Sequence, residues 1–280
     1  MLAYQHAYHA GNIADVHKHL TLFALIQRLR EKKSAITWVD THAGRGIYPL
    51  DGAETQRGGE FLDGIQPLWQ RRESFPPQHL IHNWLQQLAT LNPDESLRCY
   101  AGSPWWLAQA MRSGDRLEIY ELHPGEHQHL QQFDQQLPPG GRRHFGDGPA
   151  TLLQHLPVAT PRLCVLIDPS YEVKSDYLAV AETLKRIAEK VRHAVVAIWY
   201  PLLAAQRHLE LLDAVRASGV RKVLRSELIY GDPEQTRGMY GSGMLVLNPP
   251  WQLDQLLAET GEELATLYSG RSTVEWWVAE

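Results

Sequence analysis

The stretch "LIDPSYE", residues 166–172, ends an apolar run on a carboxylate and follows it with proline, serine and an aromatic ring. Those residue types in that order suit one kind of chemistry. The Asp168 carboxylate and the Pro169 carbonyl can together accept both N–H bonds of an exocyclic amine. That draws the nitrogen toward tetrahedral geometry and frees a lone pair otherwise delocalised into the ring. Proline fixes its own φ, so the direction of its carbonyl is set in advance. Tyr171 offers a flat face on which a planar base can stack, worth ~1–3 kcal/mol. Asp168 can then take the proton that the substituted amine releases.

Three further polar signals lie where strands should end, and in open parallel sheets ligands bind beyond the carboxyl ends of the strands. The first is "DTHAGRG", residues 40–46. Gly44 and Gly46 let the backbone turn tightly and approach a ligand, and a following helix would aim its N-terminal N–H groups there. The second is Glu121, which closes "RLEIYELH" and can accept both hydroxyls of a ribose. Its distance from the glycine turn exceeds the usual ~20 residues, and an insertion explains the excess. The third is Asp147-Gly148, an acid that can meet an adenine edge or simply make a turn.

Together these point to a nucleoside cofactor, and "DPSY" selects which one. It is close to the D/N-P-P-Y/F/W motif of amino-methyltransferases, which makes the cofactor S-adenosyl-L-methionine rather than NAD. The amine would attack the sulfonium methyl in line, and holding both reactants in line is the larger contribution to rate. Ser170 stands where the motif has a second proline. The hydrogen-bonding carbonyl belongs to Pro169, so the chemistry survives the change.

The elements that must position these residues follow from the apolar pattern. Residues 15–31 carry Val16, Leu20, Phe23, Ile26 and Leu29 at helical spacing. Strands are predicted over 35–41, 116–123, 142–148, 162–169 and 194–201, with helices over 176–192 and 204–218. "KVLRSELIY" and "GMLVLNPPW" read as an antiparallel pair that closes the regular part of the chain. Strands alternating with helices imply an α/β fold, a mostly parallel sheet covered on both faces. Residues 52–98 break that rhythm with Gly58-Gly59, Pro76-Pro77 and the amphipathic "HLIHNWLQQLATL". They read as an inserted helical subdomain, leaving 1–51 and 99–280 as the core.

With 280 residues, 44% hydrophobic, the chain has material for one large domain with an insertion. No apolar run approaches the ~20 residues of a membrane helix. The N-terminus lacks the basic start and apolar centre of a signal peptide. Cys99 and Cys164 give no metal or disulfide spacing, so a cytoplasmic protein is expected. A net charge of −5 argues mildly against a protein coated in nucleic acid. Three basic clusters (Arg28 to Lys33, Arg142-Arg143, and Lys185 to Arg192) read as solvated helix ends and surface. His6, His9, His17 and His19 raise the question of a metal, but no Cys or carboxylate is spaced to complete a site. His17 reads as a helix-surface residue, and no metal is expected.

Nearly the whole chain resembles the RlmJ family of 23S rRNA adenine-N6 methyltransferases. The likeness rests on "MLAYQHAYHAGNIADVHKH", "DTHAGRGIYPL", "YAGSPWW", "YELHPGEH", "GDG", "LIDPSYE" and "GSGMLVLNPPW". It implies a Rossmann-like class I methyltransferase core with a helical insertion, using S-adenosyl-L-methionine to methylate one adenine of 23S ribosomal RNA. Carried over by position, it puts His19, His42, Ser103, Glu121, Asp147, Gly148 and Asp168 in the cofactor site. Asp168 becomes the catalytic acceptor, and Tyr4 a contact to RNA. The expected state is a monomer without membrane attachment. Other readings are adenine-N6 methylation of DNA, methylation of another amine such as a glutamine side chain, and an inactive methyltransferase fold that binds nucleic acid. Asp rather than Asn at position 168 favours adenine over glutamine, and the intact Gly44, Gly46, Glu121 and Asp168 speak against a dead site.

Overall fold

Short runs of branched and aromatic residues bounded by turns build the sheet, and the computed structural model describes them within residues 4–236 and 238–280. In chain order the strands are β1 (Ile36–Asp40), β2 (Ile47–Pro49), β3 (Cys99–Ala101), β4 (Arg116–Glu121), β5 (Gly141–Phe145), β6 (Arg162–Ile167), β7 (Val195–Leu203), β8 (Val223–Ile229), β9 (Met239–Leu247) and β10 (Arg271–Val278). The α-helices are α1 (Ile13–Arg30), α2 (Ala53–Gly58), α3 (Ile65–Gln70), α4 (Leu80–Ala89), α5 (Ser103–Ala110), α6 (Pro124–Leu130), α7 (Gly148–His155), α8 (Asp176–Lys190), α9 (His208–Ala217) and α10 (Leu253–Leu267).

The main sheet has the order β10-β8-β9-β7-β6-β1-β4-β5. Strands β5, β4, β1, β6 and β7 run parallel, so their carboxyl ends share one edge. β9, β8 and β10 continue the sheet with antiparallel pairings. One apolar cluster fills the side covered by α1, α4, α5 and α10, and a second fills the side covered by α8 and α9. Fourteen residues of the 18-residue α1 are buried, so this helix has no single apolar stripe. Its N-terminal half buries Asp15, His17, Lys18 and His19 instead. Asn12 caps it by accepting the Asp15 N–H at 2.8 Å. No helix among the described residues is long and apolar enough to cross a membrane.

Three expectations need correction. No helix follows the glycine turn directly. β2 does, and it pairs antiparallel with β3 at the neck of the inserted segment. The helix that approaches the turn is α5, brought there by Gly102 N–H donating to the Gly46 carbonyl at 2.8 Å. The regular part of the chain does not close at β9, because α10 and the edge strand β10 follow. His17 is no surface residue: it is 4% exposed and its ring nitrogens meet Ser242 and Ser226 hydroxyls at 3.0 Å each. Within the inserted segment, Phe61, Trp69, Trp84 and Leu88 join the same apolar cluster as α1.

Candidate active site

The carboxyl ends of β1, β4 and β6 open onto a cavity of about 380 Å³. His19, His42, Gly44, Ser103, Glu121, Asp147, Gly148, Asp168 and Pro169 all line it. Gly46 does not; with φ +81° it makes the left-handed turn against Phe133 that brings Gly44 into place. Gly44 is also left-handed at φ +59°, and a side chain there would strike the Tyr48 hydroxyl. Glu121 ties the loop to the sheet. Its Oε2 accepts the Gly44 N–H at 2.8 Å and its Oε1 the His123 N–H at 2.7 Å. Burial pushes its pKa up, and those two amides oppose the shift. Asp147 caps α7 by accepting the Ala150 N–H at 2.9 Å, while Gly148 packs so closely on the Thr41 backbone that no Cβ fits.

Neutral imidazoles complete this wall, and a fully buried acid lies behind it. Burial drives His42 down to about 4 and His19 well below its ordinary value, with His19 Nδ1 2.8 Å from the Tyr100 hydroxyl. Asp40, at the end of β1, is fully buried and pushed up to about 7 by that burial. Its Oδ1 accepts the His42 N–H at 3.2 Å, and Ser103 bonds its side chain. Its Oδ2 is buried without a partner, a cost the protein alone leaves unpaid.

A second cavity, about 530 Å³, lies on the other side of Asp168. The two share Tyr4, His6, Lys18, Asp168, Pro169 and Ser170. Asp168 therefore stands at their junction. Behind it runs a buried polar chain. Lys18 Nζ donates to Asp168 Oδ2 at 2.6 Å and lies 2.8 Å from Asp15 Oδ1. Asp15 Oδ2 accepts the Gly11 N–H and meets His6 Nε2, both at 2.9 Å, and His6 Nδ1 is 2.9 Å from the Tyr4 hydroxyl. Burial raises the Asp168 pKa, and the Lys18 ammonium opposes that rise. Burial would raise Asp15 too, but His6 and Lys18 outweigh it and hold the acid well below the carboxylate range. Asp168 Oδ1 has no hydrogen-bond partner among the described residues, so it can receive a donor from either cavity.

Sequence reasoning missed Asp15, Lys18 and Asp40 as site residues. The first two were recoverable in principle: they stand three apart just inside an Asn-capped helix, hence on one face. Tyr171 is the misplaced residue. Its side chain lines neither cavity. It is 7% exposed, with φ 55°; its ring packs on Tyr177 at 4.4 Å and its hydroxyl donates to the Trp199 carbonyl at 2.7 Å. A ring buried in this way, stacked on one face and tied by its hydroxyl, turns away from both cavities. Tyr4 does reach the junction, lying parallel to the His9 ring at 5.4 Å. His9 itself turns to Glu60 at 2.7 Å, and among the described residues no group of His, Cys, Asp and Glu is placed to hold a metal.

A family model described as ribosomal RNA large subunit methyltransferase D, RlmJ, matches residues 33–278. The chain belongs to the RlmJ family. It is 36% identical to ribosomal RNA large subunit methyltransferase J of Escherichia coli strain K12 over 284 residues, covering 100% of both chains. The Haemophilus influenzae protein of the same name is 35% identical over 295 residues, again covering 100% of both. A crystal structure of a Legionella pneumophila protein matches this RlmJ-family chain at TM-score 0.88 and 32% identity, covering 96% of this chain and 98% of that one. The RlmJ family is one of rRNA methyltransferases, and the mostly parallel α/β sheet described above is its Rossmann-like core.

Proposed function

We propose that this chain transfers a methyl group from S-adenosyl-L-methionine to the N6 amine of one adenine in 23S ribosomal RNA. One observation carries the reading: Asp168 and Pro169 stand where two cavities meet, with Asp168 Oδ1 unbonded. The cavity at the strand ends fits the cofactor. Glu121, which lines it beside the Gly44 turn, suits its ribose. Asp147, at the start of α7, suits the adenine edge. When bound, the cofactor supplies a methyl on a sulfonium. The second cavity would take the target base, flipped out of its stack.

The protein's own part in the reaction is positioning and proton handling. Asp168 Oδ1 and the Pro169 carbonyl accept the two N–H bonds of the amine, so its lone pair points away from them toward the cofactor cavity. Lys18 keeps Asp168 ionised in a buried setting, and Asp168 takes the released proton. Tyr4, at the boundary of the two cavities, would contact the RNA. The test is to map N6-methyladenine in large-subunit rRNA by mass spectrometry, with and without the gene. We expect one site to vanish without it, to return with the wild-type gene and to stay absent with Asp168→Ala. The variant should fold, because Lys18 keeps Asp15 as a partner. An unchanged methylation map would refute the reading.

A further inference from the structure

With Tyr171 outside both cavities, another ring beside Asp168 is the better placed to face the base. The sheet register identifies it. β6 and β7 run parallel with Leu166 opposite Ala197 and Ile167 opposite Ile198. One step further sets Asp168 beside Trp199. Leu166 and Ala197 enter the apolar cluster on the α1 side, while Ile167 and Ile198 enter the other. Alternation along each strand therefore turns Asp168 and Trp199 to the same side. Lys18 marks how close they are: its ammonium is 2.6 Å from Asp168 Oδ2 and 5.8 Å from the centre of the Trp199 ring. The indole lines the second cavity together with Pro169.

One bond fixes this indole directly, and a second holds the backbone that carries it. Its Nε1–H donates to the Ser242 hydroxyl at 3.0 Å, and its backbone carbonyl accepts the Tyr171 hydroxyl at 2.7 Å. A ring already held in one orientation loses little freedom when a base lands on it. Tyr4, also at the cavity, has one face taken by His9 and its hydroxyl engaged with His6.

We propose that Trp199 is the aromatic face on which the target base stacks, and that Tyr171 is a positioning residue acting through its hydroxyl on Trp199. This rests on the adenine-methylating reading above and assigns the ring within it. The two roles separate cleanly by substitution. A stacking tyrosine would tolerate Tyr171→Phe, which keeps the ring; a positioning tyrosine would not, because the bond to Trp199 goes.

The experiment measures methyl transfer to rRNA by full-length Trp199→Leu, Trp199→Phe and Tyr171→Phe, with S-adenosylmethionine affinity by calorimetry. It adds the fluorescence of an RNA fragment carrying 2-aminopurine at the mapped target position. We expect Trp199→Leu to lower kcat/KM for RNA on the order of ten- to a hundredfold, the range for one lost base–aromatic stack. Cofactor affinity should stay within about twofold, and Trp199→Phe should keep most of the activity. Tyr171→Phe should lower kcat/KM several-fold. The flipped 2-aminopurine should be quenched in wild type and bright in Trp199→Leu. Should Trp199→Leu fail to fold, the Trp199→Phe and Tyr171→Phe rates and fluorescence decide. Trp199→Leu activity and fluorescence equal to wild type, or a wild-type rate in Tyr171→Phe, overturns the assignment alone. A wild-type enzyme that leaves no methyl on adenine N6 overturns the functional reading and this assignment together, and is seen before any variant is compared.

Discussion

A carboxylate as buried as Asp168, whose side chain is 11% exposed, tends to keep its proton, and burial is the first cause of its raised pKa. The ionised form is the one that accepts an amine N–H, so the ammonium of Lys18 at 2.6 Å is what keeps the acceptor available. Lys18→Met removes that opposing charge and leaves the burial. The Asp168 pKa must then rise further, and at a given pH a smaller share of the acid is ionised. We predict that the acid limb of the kcat/KM profile moves to higher pH. Activity at neutral pH should fall at least about tenfold, with part of it regained on the alkaline side. A profile merely scaled down at every pH would mean that Lys18 is a spacer. Glu121 is argued differently, because its carboxylate already serves two loop amides. Glu121→Ala orphans both and removes the proposed ribose acceptor. It should weaken S-adenosylmethionine binding by ~1.5–3 kcal/mol, roughly ten- to a hundredfold in Kd by calorimetry. An unchanged Kd would reduce Glu121 to a loop tether.

At the scale of elements, the inserted segment grips the N-terminal arm. Glu60 Oε1 meets His9 at 2.7 Å, Glu60 Oε2 accepts from Asn12 at 2.9 Å, and the Ile65 N–H donates to the Gly11 carbonyl at 2.9 Å. Through the stacked His9 ring, that grip holds Tyr4. The bond to Glu60 raises the His9 pKa above 6.5. Such a contribution is complete below the ordinary histidine value and is lost as pH climbs through the raised one. Burial alone would raise Glu60, but His9 and Asn12 outweigh it and lower its pKa, so it stays ionised throughout that window. Hydrogen exchange of the arm amides, corrected for intrinsic rate, should therefore speed up as pH rises from the ordinary histidine value onto the alkaline side, and Glu60→Gln should flatten the dependence. An arm equally protected at both ends of that range would show that packing alone holds it. The strands that carry the site, and its acids Glu121 and Asp168, were legible, because apolar runs ending on a carboxylate carry a strong local pattern. What was not legible depends on distant contacts. α5 reaches the glycine turn through the Gly102–Gly46 pairing and the β2–β3 ladder, whose partners the insertion separates in sequence. α10 carries Gly261 at its centre, needed because Ser272 packs against it, and β10 is an edge strand whose mixed charge hides its alternation. Tyr171 read as a stacking ring because the motif spells one; its left-handed backbone and buried hydroxyl are tertiary facts.

For the whole molecule the question is how an acidic protein holds a polyanion. The net charge is −5, and Asp15, Glu60 and Asp63 line the second cavity. Several cationic side chains already have partners within the protein. Arg112 and Arg162 both donate to backbone carbonyls near the end of α1, Arg28 pairs with Glu31 at 3.0 Å, and Arg143 with Asp134 at 2.7 Å. Lys185 to Arg192 follow the far half of α8, whose near half, Asp176 to Thr183, is the part that lines the proposed cofactor cavity. With ~2–3 phosphates neutralised, the slope of log affinity against log salt for single-stranded RNA should be no steeper than about −2. Raising salt from about 50 to about 200 mM should then weaken binding less than about twentyfold, against ~10³ or more for proteins that neutralise many phosphates. Anisotropy of a labelled target fragment in a salt series measures this directly. A slope near −5 would reveal a cationic surface that these paired arginines do not supply. Stacking releases no counterions, so Trp199→Leu should lower RNA affinity by the same factor at every salt concentration and leave the slope unchanged. A variant that steepened or flattened it would mean the indole acts by arranging charges and not by meeting the base.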